Sequence, residues 1–309
     1  MELVRIGLRG PSSASSPCDG ADDDWESEDA AGVATQSNLR QIAFYGKGGI
    51  GKSTTVANLS ASLAIGGRKV LQVGCDPKHD SSRPFWNGRR PPTIMDMLKL
   101  NGHGGSQAQY VFDSPVGVSY MEVGGPEPGV GCAGRGMLKM FEVLDETNLL
   151  HSGFDTVIYD VLGDVVCGGF AAPLKSGRAS DVYIVTSGEF MALFAANNIC
   201  RSIATHGERQ HVRLGGIILN SRQVRNEEKI VSTFAERVGG RVVAVLPRSP
   251  LIAEAERVRR TLVETFPDSP EAEGYRNLAR DIRDNPVVVT PKVLDDDELE
   301  EMYYEALDA

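Results

Sequence analysis

A mostly parallel, twisted β-sheet with helices on both faces, folded as one domain, is the class this sequence predicts, and three observations predict it. Apolar or β-branched runs recur at 41–45, 69–73, 118–123, 155–160, 181–186, 214–219 and 241–246. Helix-period stretches lie between most of them, at 53–65, 93–100, 136–149, 189–205, 226–238 and 250–257. Such alternation is how a parallel sheet makes its crossovers. Thr156-Val157-Ile158-Tyr159 and Val182-Tyr183-Ile184-Val185 are apolar without a break, as strands covered on both sides must be. No internal repeat at a fixed period is visible, and in this layout the chemistry sits at the carboxyl ends of the strands.

The first strand and helix enclose the most specific motif. Gly46-Lys47-Gly48-Gly49-Ile50-Gly51-Lys52-Ser53 follows Ile42–Tyr45 and opens the 53–65 helix, which is the strand–loop–helix setting of a P-loop. A turn this rich in glycine lets successive N–H groups, through Thr54, converge on phosphate oxygens. Lys52 supplies point charge, and the Ser53 hydroxyl can coordinate magnesium. The expected architecture is therefore a single P-loop NTPase domain over residues 39–291.

The next strands carry charge and thiols at their exits. After Val70–Val73 comes Asp76-Pro77-Lys78-His79-Asp80, a charged loop that reads as nucleotide-sensing rather than as a plain surface turn. Asp160 closes the strand Thr156–Tyr159, where phosphate chemistry needs a carboxylate on the magnesium side, and Asp164 follows four residues on. Cys132 and Cys167 each sit among glycines, in Gly129-Val130-Gly131-Cys132-Ala133-Gly134 and Cys167-Gly168-Gly169, which leave the thiolates open and put N–H groups near them. An iron–sulfur cluster usually takes four thiolates, so two copies meeting on a two-fold axis would complete a ligand set; a zinc site built the same way is the chemical competitor. Cys75 and Cys200 lie in apolar segments and read as small hydrophobes, and five cysteines in such a chain do not form a disulfide framework.

Composition bounds the remainder. The chain has 309 residues, 41% of them hydrophobic, and a formal charge of −10. Acidity belongs to the ends: residues 1–38 carry −6 and residues 292–309 carry −7, which leaves the body at +3. The first 38 residues are too poor in apolar groups to offset ordering entropy and are expected to be a disordered acidic extension. The tail at 292–309 mixes acids with Leu294, Leu299, Met302, Tyr303, Tyr304 and Leu307, a composition suited either to docking on a surface, such as that of a dimer, or to a frayed terminal helix. No apolar run approaches the ~18 residues of a membrane span, and the amino terminus lacks the order of a signal peptide. A cytoplasmic protein is expected, with neither nucleic acid nor membrane among its partners.

Together these strings resemble the nitrogenase iron protein family. The resemblance is carried by Gly46–Ser53 with Lys47, Gly74-Cys75-Asp76-Pro77-Lys78, Gly131-Cys132-Ala133-Gly134-Arg135-Gly136 and Asp160-Val161-Leu162-Gly163-Asp164-Val165-Val166-Cys167-Gly168-Gly169-Phe170, and runs from about residue 39 to the tail through Ser187-Gly188-Glu189, Ala195-Ala196-Asn197-Asn198 and Arg213-Leu214-Gly215-Gly216. It implies a homodimer with one 4Fe-4S cluster held by Cys132 and Cys167 of both subunits and one MgATP site per subunit. ATP hydrolysis would drive single-electron transfer to a separate catalytic metalloprotein, with a ferredoxin or flavodoxin as the low-potential source. By the same resemblance Lys52 and Ser53 grip phosphate and magnesium, and Lys47 reaches the nucleotide across the dimer. Asp76, Lys78 and Asp80 belong to a first switch, and Asp160 and Asp164 to a second that ends at Cys167. Asn220 with Pro247 and Arg248 faces the adenine, and Arg135 lies on the partner-facing surface, at a position that is ADP-ribosylated in some relatives. Asp164 and Asp76 are the bases available for a hydrolytic water.

The match is a mosaic. His79 is similar to the form in light-independent protochlorophyllide reductase, whereas Cys132–Gly136 and Ser187–Leu193 are closer to nitrogenase iron proteins. Arg83-Pro84-Phe85-Trp86-Asn87-Gly88-Arg89-Arg90-Pro91-Pro92 and the acidic leader fit neither, which points to a nitrogenase-like system such as methylthio-alkane reductase. The class set against it is that of partition and septum-site ATPases, dimerising switches with the same P-loop and no redox centre.

Overall fold

The computed structural model describes residues 39–86, 88–101, 106–125, 134–163, 172–284 and 287–309. An eight-stranded sheet runs through them. Its strands are β1 (Arg40–Tyr45), β2 (Val70–Gly74), β3 (Phe112–Asp113), β4 (Val118–Glu122), β5 (Thr156–Asp160), β6 (Asp181–Thr186), β7 (Arg213–Asn220) and β8 (Val242–Leu246). They lie in the order β3-β4-β2-β5-β1-β6-β7-β8, parallel except for the short edge strand β3. The seven strands expected from apolar runs are all present. β3 was not expected, because two residues carry no periodic signal.

Strand residues alternate between two cores, as the pleat dictates. Ala43 and Tyr45 face one hydrophobic cluster and Ile42 and Phe44 the other. Helices α1 (Lys52–Ile65), α8 (Pro250–Arg257), α9 (Leu262–Thr265) and α10 (Pro270–Asp284) cover the second. Helices α4 (Gly134–Glu146), α6 (Phe190–Gln210), α7 (Glu227–Arg237) and α11 (Asp296–Asp308) cover the first. Three short helices complete the set: α2 (Ile94–Asn101), α3 (Gln107–Tyr110) and α5 (Ala172–Lys175).

Two helical regions extend the sequence reading. α10 carries a buried stripe of Ala272, Tyr275, Leu278, Ala279 and Ile282, but acids and arginines fill the intervening positions and hide it. At the carboxyl end, Asp295 and Glu298 form a capping box and α11 buries Leu299, Met302 and Ala306. Asn197, buried in α6, accepts from Leu294 N at 3.1 Å and donates to Leu294 O at 2.8 Å, which fixes the approach to α11 on its own chain.

Register sets the level of the site. Phe44 and Gly74 both pair with Asp160, and Gly74 pairs with Glu122 on its other side. The carboxyl ends of β1, β5, β2 and β4 therefore finish in one row.

Candidate functional site

Three of the four glycines of residues 46–51 are required by geometry. A Cβ on Gly46 would stand 2.2 Å from Val185 O, Gly49 has φ +76, and Gly51 caps α1 at φ +94 with no side-chain cap. Nothing lies within 4 Å of where a Cβ would sit on Gly48 or Gly49, so the loop is an open cradle above the first turn of α1. Its unsatisfied N–H groups and the helix dipole favour an anion there. Ile50, 3% exposed, pins the turn from below.

Asp160 stands at the centre. It is fully buried, ion-paired with buried Lys52, and accepts from Ser81 Oγ at 2.6 Å, while Gln72 Nε2 donates to Ser81 Oγ at 3.0 Å. A carboxylate this deep needs a cation, and Lys52 provides it. Ser53 and Thr54 open onto a cleft of ≈ 150 Å³ walled by Asp80, Ser81, Arg83 and Pro84 on one side and Glu256 and Arg259 on the other. Hydroxyl, carboxylate and backbone N–H donors beside a fixed ammonium suit a magnesium–phosphate group.

The exit of β5 is pressed onto the loop. A Cβ on Gly163 would lie 2.4 Å from Gly46 O and 2.5 Å from Gly48 N, so only glycine lets the two backbones touch. Asp164 and Cys167 follow directly but, with Cys132, lie outside the described residues. Arg135 stands in the first turn of α4, and its side chain is likewise outside them.

The other expected residues fall at the same edge of the sheet. Asp76 forms a turn, accepting from Lys78 N at 2.9 Å, and Lys78 is exposed. Asp80 is exposed at the cleft. Lys47 is half-buried, and no hydrogen bond or ion pair of its side chain occurs among the described residues. Asn220, at the end of β7, donates to Ile50 O at 2.6 Å, which ties the far strand to the P-loop; Pro247 and Arg248 lie exposed beyond its register partner Leu246. Cys75 and Cys200 are buried, and burial pushes both thiols up, that of Cys200 to about 12, so both sit in the core as protonated thiols.

Several contributors escape a reading of motifs. Arg222 Nη2 donates to Gly49 O, and Glu227 accepts from Gly188 N, Ser221 Oγ, Arg222 N and Gln223 N. Burial opposes ionisation of Glu227, yet these bonds outweigh it and hold its pKa below the ordinary value. Ser81, Gln72 and Glu122 also belong here. The tandem serine after Asp80 and an acid ending an otherwise apolar strand were the only signals for them.

The family described as 4Fe-4S iron sulfur cluster binding proteins, NifH/frxC family, matches residues 40–307. The chain is 49% identical over 267 residues to a nitrogenase iron protein of Methanospirillum hungatei, covering 85% of this chain and 95% of that one. It is 48% identical over 265 residues to nitrogenase iron protein 2 of Methanothermobacter thermautotrophicus, covering 86% and 97%. Among solved structures, the septum site-determining protein MinD of Pyrococcus horikoshii, complexed with Mg-ADP, superposes with a TM-score of 0.63 at 20% identity over 80% of this chain and 96% of that one. Cobyrinic acid a,c-diamide synthase of Mycobacterium smegmatis, with ADP and magnesium, gives 0.59 at 21% identity over 80% and 96%. At such identities the structural likeness speaks for the shared P-loop fold alone, and the sequence match separates this chain from the redox-free switches. The chain belongs to the 4Fe-4S iron sulfur cluster binding proteins of the NifH/frxC family.

Proposed function

We propose that this chain is the ATP-hydrolysing electron donor of a nitrogenase or nitrogenase-like system, acting as a homodimer with a bridging 4Fe-4S cluster and an MgATP site in each subunit. The contact of Gly163 with Gly46–Gly48 carries the reading, because it joins the phosphate cradle to the segment that runs on to Cys167. When bound, the cluster supplies a one-electron centre, and magnesium offsets charge at the phosphates. Lys52, Ser53, Thr54 and the loop N–H groups hold the phosphates, with Lys47 reaching across the dimer. Asp160 stands on the magnesium side, and Asp76 or Asp164 takes the proton of the attacking water. Lys78 and Asp80 form the first switch, and Asn220, Pro247 and Arg248 the adenine side.

In this reading Cys132 and Cys167 of both subunits hold the cluster, and Arg135 meets the catalytic component and is open to ADP-ribosylation. A ferredoxin or flavodoxin supplies electrons. The cytoplasm, where thiols stay reduced, is the compartment such chemistry calls for. Only six residues separate Asp160 from Cys167, so loss of the terminal phosphate at one end shifts the thiolate at the other. Asp164→Asn should slow ATP turnover or uncouple it from electron delivery while the iron stays in place. Unchanged coupled turnover would refute that role. Arg135→Glu should abolish reduction of the catalytic component and spare basal hydrolysis.

The stretch 83–92 and the acidic leader favour a system outside the nitrogen-fixing set, with methylthio-alkane reductase as one candidate. The names of the two archaeal relatives favour dinitrogen reduction. Anaerobic capture of the catalytic component, followed by assay on dinitrogen, a tetrapyrrole and a methylthio-alkane, decides between them.

A further inference from the structure

The loop after β2 carries Asp80 and Ser81 to the cleft beside Ser53, then turns through a 3-10 segment (Arg83–Phe85) to Trp86. Consecutive serines tie it to the two strands that flank β2. Ser81 Oγ donates to Asp160 on β5 at 2.6 Å. Ser82 donates to Glu122 Oε1 on β4 through its N–H at 2.7 Å and through Oγ at 2.5 Å. The indole Nε1 of Trp86 donates to the same Ser82 Oγ at 2.8 Å, so one hydroxyl links an aromatic ring to a buried acid.

The acid is held in a made-to-measure place. Glu122 is 1% exposed, and its Oε2 has no hydrogen-bond partner among the described residues. A Cβ on Gly74 would stand 2.1 Å from that oxygen and 2.8 Å from Ser81 Cβ, so the glycine makes the room. Burial first, then the fields of Asp160 and Asp80, push the Glu122 carboxyl up to about 8 against the pull of Ser82, which leaves it largely neutral at pH 7.

We propose that Glu122, Ser82 and Trp86 form a latch that fixes where Asp80 and Ser81 stand at the phosphate cleft, which makes Glu122 and Trp86 positioning residues for nucleotide turnover. The latch rests on the reading of that cleft as a nucleotide site. Ser81 shares Asp160 with Lys52, so a ligand that claims Lys52 and Asp160 competes with the Ser81 contact. The Ser82 clamp, one residue on, has no hydrogen bond to the P-loop among the described residues and acts as the pivot. The latch also gives a purpose to Trp86, in the very stretch that departs from the resemblance.

The holoprotein carries two tryptophans, Trp25 and Trp86, so Trp25→Phe leaves Trp86 as the sole reporter. Its emission is titrated with MgADP and MgATP while equilibrium dialysis measures binding independently. A saturable change in emission at the concentrations where nucleotide binds is expected. In Glu122→Ala the emission should be red-shifted before nucleotide is added and its response lost. The kcat for hydrolysis should fall about tenfold with little change in KM, the loss expected for a buried hydrogen-bond acceptor used in positioning. Glu122→Gln, which keeps an oxygen for Ser82, should restore most of both. Ser82→Ala should blunt the response to nucleotide, which keeps the test decisive if Glu122→Ala does not fold. Turnover within about twofold of the parent in Glu122→Ala would overturn the latch. So would an unaltered emission response in Ser82→Ala, or a silent Trp86 while dialysis shows nucleotide bound. If dialysis finds no bound nucleotide in the parent, the site reading itself fails and the latch with it.

Discussion

Two buried acids end neighbouring strands of β2 at the same level, one on each side of Gly74, and they are handled in opposite ways. Asp160, on β5, is matched by the ammonium of Lys52 and by the Ser81 hydroxyl. Glu122, on β4, has only the neutral donors of Ser82, and one oxygen has no hydrogen-bond partner among the described residues. A buried carboxylate survives as a charge beside a cation or among enough hydrogen-bond donors, as Glu227 does; with too little of either it takes up a proton. The β5 end therefore keeps a carboxylate locked to its cation at the proposed phosphate site. The β4 end holds, in the proposed latch, a largely neutral fastener for the loop that lines the cleft.

The sharpest way to break this contrast is to remove the cation. Lys52→Met leaves Asp160 buried without its partner and should cost about 3–5 kcal/mol in urea unfolding, alongside loss of phosphate binding. A cost near zero would mean that Asp160 is not held as a charge. Filling the space between the acids comes next: Gly74→Ala places a methyl against Glu122 and Ser81 and should cost about 1–3 kcal/mol, read by the same unfolding titration.

A pH series sharpens the Glu122 half. Its folded pKa of about 8 lies above the ordinary value near 4.5, so between those limits the folded state binds more protons than the unfolded chain. Stability from this group is present below the ordinary value and is lost as pH rises towards 8. Relative to Glu122→Gln, the wild-type protein should lose about 1 kcal/mol per pH unit across that window. A flat difference would show that Glu122 stays ionised. The smallest effect belongs to a pair without burial: Arg237 and Glu305, 53% and 64% exposed at 3.9 Å, should contribute less than about 1 kcal/mol, so Glu305→Gln hardly moves the unfolding midpoint.

The same contrast explains what sequence could tell. Strands β1, β2 and β4–β7 were legible because burial demands apolar runs, the half-exposed β8 through its β-branched and apolar run alone, and the P-loop because phosphate binding demands its glycines. Asp160 was legible because it closes an apolar strand in a chain whose P-loop calls for a carboxylate on the magnesium side. Glu122 was not, since the meaning of an acid at a strand end depends on which neighbour across the sheet offers a cation, and that is set by register between strands far apart in the chain. Asn197 shows the same limit from another side. It sits in a string that carried the family resemblance, yet its work in the fold is to hold the backbone of Leu294. α10 escaped because its stripe is narrow, two of its five buried residues are alanines, and charge surrounds it.

In the proposed function, phosphate occupancy at Lys52 and Asp160 is felt at the cluster through the short segment that runs beyond Gly163 to Cys167. The most direct test is the rate at which an iron chelator strips the anaerobically purified protein, with and without MgATP, in the parent and in Asp164→Asn. The account predicts about four irons per dimer, a chelation rate that changes on adding MgATP, and a response lost in the variant. Iron-free protein, or a rate indifferent to MgATP in the parent, would contradict it.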